Sequence, residues 1–231
     1  MFLGNKRDYM VMKSFFRQVL RRYGVHLHKG PFIPFSARQI RNLFYYKKMF
    51  NRIHNLEGTI VECGVGKGRS FLFLSYFSFV EQKGRNVWGF DSFEGFPEPT
   101  PNDISPRNPK KGEWSGFSPE DMKGILRGAG FPTDWIANHT HLIKGFFNET
   151  LSSYTGGPIA LLHIDSDLYE SYKDPLEVLF PQVVSGGLVI FDEYNRKNWP
   201  GAKKAVDEFF ENTSYTIEHD EEYDKYFVVK K

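Results

Sequence analysis

Two apolar runs in this chain end in acids. In LLHIDSDLYES, Asp165 and Asp167 close the run with His163 just before them, and in GGLVIFDEY a second run ends in Asp192 and Glu193. Carboxylates at the end of a buried strand are costly unless protonated, paired or bound to a cation. If the two runs are neighbouring strands, Asp165, Asp192 and Glu193 share one rim. Hard oxygen ligands without thiolates select Mg²⁺ or a similar divalent ion. A cation held there lowers the pKa of a substrate hydroxyl laid against it. Asp165 and Asp167 are then the expected catalytic pair, with Asp167 taking the proton. His163, inside the strand pattern, reads as a core residue in preference to a base.

A third candidate is ECGVGKG, where Gly64, Gly66 and Gly68 follow Glu62. Glycines so spaced let the backbone turn tightly and approach a bound nucleoside, while the helix that follows offers free N–H groups. This is no phosphate loop, because Lys67 is followed by Gly68 and not by Ser or Thr. It also departs from the dinucleotide spacing, since the third glycine comes one residue early. Asp91 ends the next apolar run, NVWGFD, where a carboxylate accepts both hydroxyls of a ribose. A glycine turn after one strand and an acid after the next suit an adenosine-type ligand. The glycine spacing and the acidic rim both disfavour a nicotinamide dehydrogenase.

Such residues must be positioned by strands that end on one side of a sheet. The segment 36–55 repeats its apolar residues at helical intervals, with Ser36 as N-cap. TIVEC then reads as a strand, RSFLFLSYFSFV as a buried helix and NVWGF as a second strand. Residues 97–116 are rich in Pro, Asn, Asp and Lys, too long for a plain connector, and loops of this kind are often lids. A helix resumes at SPEDMKGILRGAG, capped by Ser118 with Pro119 at its first position. HTHLIKG, PIALLHID and GGLVIFDE are further strands, with a helix around SYKDPLEVLFPQVV between the last two. GAKKAVDEFF predicts one more helix, and SYTIEH and KYFVVK a terminal hairpin. Strands alternating with helices predict an α/β fold with a mostly parallel sheet covered on both faces.

Composition narrows the partners. The chain has 231 residues, 40% apolar and 25% charged, which fits one folded α/β domain over 36–231 with an N-terminal extension over 1–35. A net charge of +2 disfavours a nucleic-acid binder. Its basic residues are nevertheless concentrated in KRDYMVMKSFFRQVLRRYG, which predicts a helix that either contacts an anionic membrane surface or packs on the body or on a second subunit of a homo-oligomer. No run reaches the roughly 20 apolar residues of a membrane span, and no signal peptide is recognised. Cys63, the single cysteine, precludes a disulfide within the chain and reads as an inert buried thiol, so a reducing cytoplasm is expected.

VECGVGKGRS, FDSFEGFPEP, GFFNETL, IALLHIDSDLYESYKDPLEVLFP, GGLVIFDEY and GAKKAVDEFF together resemble the macrocin O-methyltransferase family of S-adenosylmethionine-dependent sugar methyltransferases, from about Arg38 to Phe210. The resemblance implies a Rossmann-like class I methyltransferase fold, with seven strands and an antiparallel terminal pair. It implies S-adenosylmethionine and Mg²⁺ as cofactors. Glu62, Gly64 and Gly68 would lie around the methionine part, with Gly66 in the same turn, and Asp91 on the ribose. Ser70, Ser92, Gly145, Phe146 and Asp165 would complete the cofactor site, and Asp165, Asp192 and Glu193 would hold the metal. Two aspartates are usual where this chain has Asp192 and Glu193. The acceptor implied is a saccharide or glycosylated small molecule, and Phe93, Phe96, Trp114, Tyr169 and Tyr194 would suit a sugar ring. A phenolic or catechol-like acceptor, or a scaffold that binds the cofactor without turnover, are the competing functions.

Overall fold

Ser36 opens helix α1 (Ala37–Arg52), its N–H donating to the Gln39 side chain at 2.5 Å in one arm of a capping box. The computed structural model describes residues 36–231, so the helix expected in the basic N-terminal segment and the 1–35 extension lie outside the described residues. Tyr45, Tyr46, Met49 and Phe50 form the buried stripe of α1.

Among the described residues, seven strands form one sheet: β1 (Thr59–Cys63), β2 (Val87–Asp91), β3 (Thr140–Lys144), β4 (Ile159–Ile164), β5 (Val183–Phe191), β6 (Glu218–Asp220) and β7 (Lys225–Val229). Their order is β3-β2-β1-β4-β5-β7-β6. The first five run parallel, β7 lies antiparallel to β5, and β6 antiparallel to β7. Chain order reverses between β1 and β4, so their carboxyl ends flank the crevice where ligands bind in open α/β sheets.

The remaining helices are α2 (Arg69–Glu81), α3 (Pro119–Gly128), α4 (Thr133–His139), α5 (Phe147–Thr150), α6 (Tyr169–Leu179) and α7 (Pro200–Phe210). Alternation along the strands sorts the core into two layers. Ile60, Leu161 and Ile190 cluster with α1 and α2, whereas Val61, Cys63, Leu162 and Ile164 cluster with α6 and α7. Every residue of β1 and β4 is buried, as a parallel strand covered on both faces requires. Each large apolar side chain so buried stabilises the fold by roughly 1.5–3 kcal/mol. Cys63 is free and buried, and burial pushes its thiol well above the usual range. No helix of the described residues is long and apolar enough to cross a membrane.

Local structure departs from the sequence reading in three places. Helices α4 and α5 are too short to display a helical period and were not expected. The strand expected at SYTIEH shortens to Glu218–Asp220, because Tyr215 and Ile217 pack against the core, Tyr215 with its ring 5.1 Å from that of Phe180. The long loop after β2 is pinned. Asp103 accepts from Thr100 N–H at 2.8 Å and from Tyr169 N–H at 2.7 Å, and Ser105 Oγ donates to Asn198 O at 2.9 Å.

Candidate active site

β1 ends at Cys63, and the chain turns through Gly64, Gly66 and Gly68 with φ of +96°, +51° and +74°. The turn is forced by proximity. Asp165 N–H donates to Cys63 O at 2.9 Å, and a Cβ on Gly64 would lie 1.9 Å from Asp165 O. Asp91 holds the turn from the other side, its Oδ2 accepting from Gly66 N–H at 2.7 Å and its Oδ1 from Phe93 N–H at 2.6 Å. Burial raises the Asp91 carboxyl, with these N–H groups acting the other way. Each oxygen keeps a lone pair for a further donor.

Gly64, Gly66, Asp91, Ser92, Phe146 and Asp165 line a cavity of about 420 Å³, in the size range of small-molecule sites. Gly145 and Gly68 stand behind its wall: Gly145 N–H donates to Asp91 O at 3.0 Å, and Gly68 caps α2 beneath Met122. Ser70 lines a second cavity of about 660 Å³, which shares Gly64, Gly66, Asp165 and Asp167 with the first and adds Asp192 and Glu193. The two cavities therefore meet at the ends of β1 and β4.

Asp165, Asp192 and Glu193 each bring one carboxylate oxygen within 4.8 Å of the others. Parallel pairing of β4 and β5 places Ile164 opposite Phe191, so the residues that follow share one rim. Glu193 Oε2 is buried without a hydrogen-bond partner. Burial and then the charge of Asp192 push the Asp165 carboxyl up to about 7, and the same causes raise Glu193. Asp192 goes the other way: burial acts to raise it, but the Lys225 ammonium paired with it, together with a hydrogen bond from Glu193 and the nearby His163, outweighs this and holds it low. Asp167 sits in the left-handed region at φ +66°, buried, its carboxyl pushed well up by burial and by Asp165 and Asp192. An orphaned buried oxygen and mutually repelling carboxylates are what a hard divalent cation satisfies, so the donor set fits such an ion.

Lys225 escaped the sequence reading. It opens β7, 33 residues from Asp192, and only a buried lysine at the start of KYFVV could have signalled it. Glu62 and His163 also form an unforeseen pair. They stand opposite in the β1–β4 register, with His163 Nδ1 2.9 Å from Glu62 Oε1, and Tyr46 Oη lies 3.3 Å from His163 Nε2. Burial alone would lower the His163 pKa, but Glu62 and the neighbouring acids raise it. Glu62 Oε2 has no partner. A His163→Phe substitution is expected to cost about 3–5 kcal/mol, because it strands a buried carboxylate, and urea unfolding would measure it.

The sequence profile of the macrocin-O-methyltransferase (TylF) family matches residues 13–223. The chain belongs to this family. It is 30% identical over 161 residues to demethyldecarbamoylnovobiocin O-methyltransferase of Streptomyces niveus, covering 68% of this chain and 59% of that one. It is 33% identical over 142 residues to 8-demethyl-8-(2,3-dimethoxy-alpha-L-rhamnosyl)-tetracenomycin-C 4'-O-methyltransferase of Streptomyces olivaceus, covering 59% and 53%. The chain thus spans less than two thirds of the length of these curated relatives. The solved structure of the calicheamicin methyltransferase CalS11 superposes with a TM-score of 0.75 at 24% identity, over 84% of this chain and 80% of that one. That likeness carries the fold, which is the class I Rossmann-like methyltransferase fold.

In this macrocin-O-methyltransferase family member, the aromatic residues divide. Phe96 lines the first cavity, and Trp114 lines both the first and the second, where the two meet. Phe93 is instead core, and Tyr169 and Tyr194 turn outward, donating hydroxyls to Glu208 at 2.6 Å and Asp207 at 2.8 Å. Trp199 replaces them: its ring centroid lies 5.6 Å from that of Phe96 and 5.4 Å from that of Trp114, and the Arg107 guanidinium lies over both indoles. Trp199, like Trp114, is a loop aromatic of the kind that the sequence marks as a possible pocket wall, and both line the second cavity.

Proposed function

We propose that the chain is an S-adenosylmethionine-dependent O-methyltransferase acting on a hydroxyl of a sugar or glycosylated small molecule, with Mg²⁺ or a similar divalent cation. The observation that carries this reading is the convergence of Asp165, Asp192 and Glu193 beside a cavity edged by the glycine turn and Asp91. Both Streptomyces relatives are O-methyltransferases, and the tetracenomycin relative, named for a rhamnosyl compound, supports the acceptor class.

When bound, S-adenosylmethionine supplies an electrophilic methyl, and the cation supplies positive charge that favours the ionised acceptor hydroxyl. Asp91 accepts from the ribose hydroxyls, while Gly64 and Gly66 let the backbone come close to the nucleoside. Ser92 and Phe146 close that pocket, Gly68 and Gly145 shape its walls, and Ser70 faces the acceptor side. Glu62, fully buried and lining none of these cavities, acts through its pair with His163 behind the glycine turn. Asp165, Asp192 and Glu193 hold the cation, with Lys225 keeping Asp192 ionised. Asp167 takes the hydroxyl proton. In-line substitution at a sulfonium needs little further covalent help, so alignment by these side chains is the main contribution.

The test is calorimetry with S-adenosylmethionine, followed by transfer assays on saccharide and phenolic acceptors with and without chelator. Binding without Mg²⁺, transfer to saccharides only, and loss of transfer on chelation with recovery on adding Mg²⁺ are expected. Undiminished turnover after complete chelation would sink the cation role. A Trp114→Gly variant should unfold close to wild type, because relief at φ +61° offsets the lost ring contacts. Its acceptor KM should rise by roughly tenfold with kcat little changed, the signature of a lost aromatic contact.

A further inference from the structure

A third cavity, about 360 Å³, opens between the start of α1 and the loop after β5. Its cations are Arg38, Arg41, Arg196, Lys197 and Lys225, against one acid, Glu193. Arg196 is committed to Asp224 at 2.8 Å and Lys225 to Asp192. Among the described residues, Arg38, Arg41 and Lys197 have neither a hydrogen-bond nor an ionic partner. The chain's net charge is only +2, so this surplus is local.

Helix energetics sharpen the point. The first turn of α1 contains no acid and carries Arg38, with Arg41 one turn on. Cations there oppose the helix macrodipole, whose positive end favours anions. A bound anion would relieve both the dipole conflict and the mutual repulsion of the three unpaired cations. The cleft also continues into the acceptor-side cavity, because Arg38, Asn42, Glu193, Asn198 and Trp199 line both. An anion held there would sit beside the carboxylate rim, since Glu193 of that rim lines the cleft.

We propose that this cleft receives the anionic end of the acceptor, a sugar bearing a phosphate or diphosphate, while a hydroxyl of the same sugar reaches the rim of Asp165, Asp192 and Glu193. This inference rests on the methyltransferase reading for the role of the bound sugar. Two guanidiniums from α1 and an ammonium from the loop after β5 suit a doubly charged, multidentate group better than a single carboxylate, since guanidinium forks engage phosphate oxygens in pairs.

Calorimetry on the full chain tests it with glucose 1-phosphate, methyl glucoside and methyl glucuronoside as probes, each at low and high salt. Glucose 1-phosphate should bind at least about tenfold more tightly than methyl glucoside at low salt, and the gap should shrink as salt screens it. An Arg38→Gln/Arg41→Gln double variant should lose that preference while its S-adenosylmethionine affinity stays at the wild-type value and its unfolding midpoint rises slightly, as the conflict with the helix dipole is removed. Equal binding of phosphate and neutral sugars, or a preference untouched in the double variant, would overturn the inference. So would glucuronoside binding as tight as that of glucose 1-phosphate. Failure of the methyltransferase reading would register separately, as wild-type chain that does not bind S-adenosylmethionine.

Discussion

Asp192→Asn should lower methyl transfer by about a thousandfold, the several kcal/mol that a correctly held cation contributes. S-adenosylmethionine affinity should stay within a few-fold of wild type, because Asp192 lines the acceptor-side cavity and not the nucleoside cavity. The variant should also be less stable, by a separate route. Lys225 is almost fully buried and Asp192 is its carboxylate partner, so removing the charge leaves an ammonium without compensation. Breaking such a pair from one side costs about 3–5 kcal/mol. A double variant, Asp192→Asn with Lys225→Met, separates the two effects. Folding stability should return toward wild type, since neither charge then remains buried, and transfer should stay lost. Recovery of transfer together with stability would mean that Asp192 serves only to neutralise Lys225.

Gly64→Ala should destabilise the fold by about 4 kcal/mol or more, at the upper end of single-substitution effects. The added Cβ would meet Asp165 O at 1.9 Å and Asp165 C at 2.7 Å, both backbone atoms that cannot swing aside. The residue also holds φ +96°, a conformation that an L side chain rarely adopts. Relief requires β1 and β4 to part at their carboxyl ends, where Asp165 N–H bonds Cys63 O. The thermal midpoint should fall by roughly 10 °C for a domain of this size. Gly66→Ala is the control: no atom lies within 4 Å of its added Cβ, so only the strain at φ +51° remains, about 1–2 kcal/mol. Similar losses for the two variants would show that conformation, and not the closeness of the strands, governs this turn.

Much of this molecule is legible in one dimension because its chemistry sits where regular structure stops. Strand periodicity marks β1, β2, β4 and β5, and the first polar residues beyond them are the ones that line the cavities. Once β4 and β5 are neighbours, parallel pairing brings Asp165 and the Asp192–Glu193 pair together, since neighbouring strands of like direction end on the same side. Cys63 as an inert thiol and Ser36 as a helix cap follow from equally local rules.

Contacts between distant segments were invisible, and they decide the electrostatics. Lys225 meets Asp192 only because β7 inserts antiparallel beside β5, and nothing in KYFVVK names the acid it will face. The Glu62–His163 pair depends on β1 and β4 being adjacent and in register, and Trp199 joins Phe96 and Trp114 only after α7 packs against the pinned loop. Sequence alone determined which residues could carry charge to the rim, through propensities and periods that act over a few residues. Tertiary structure decided which charges are neutralised and which stay free, because burial and pairing energies depend on distances that only the folded chain sets.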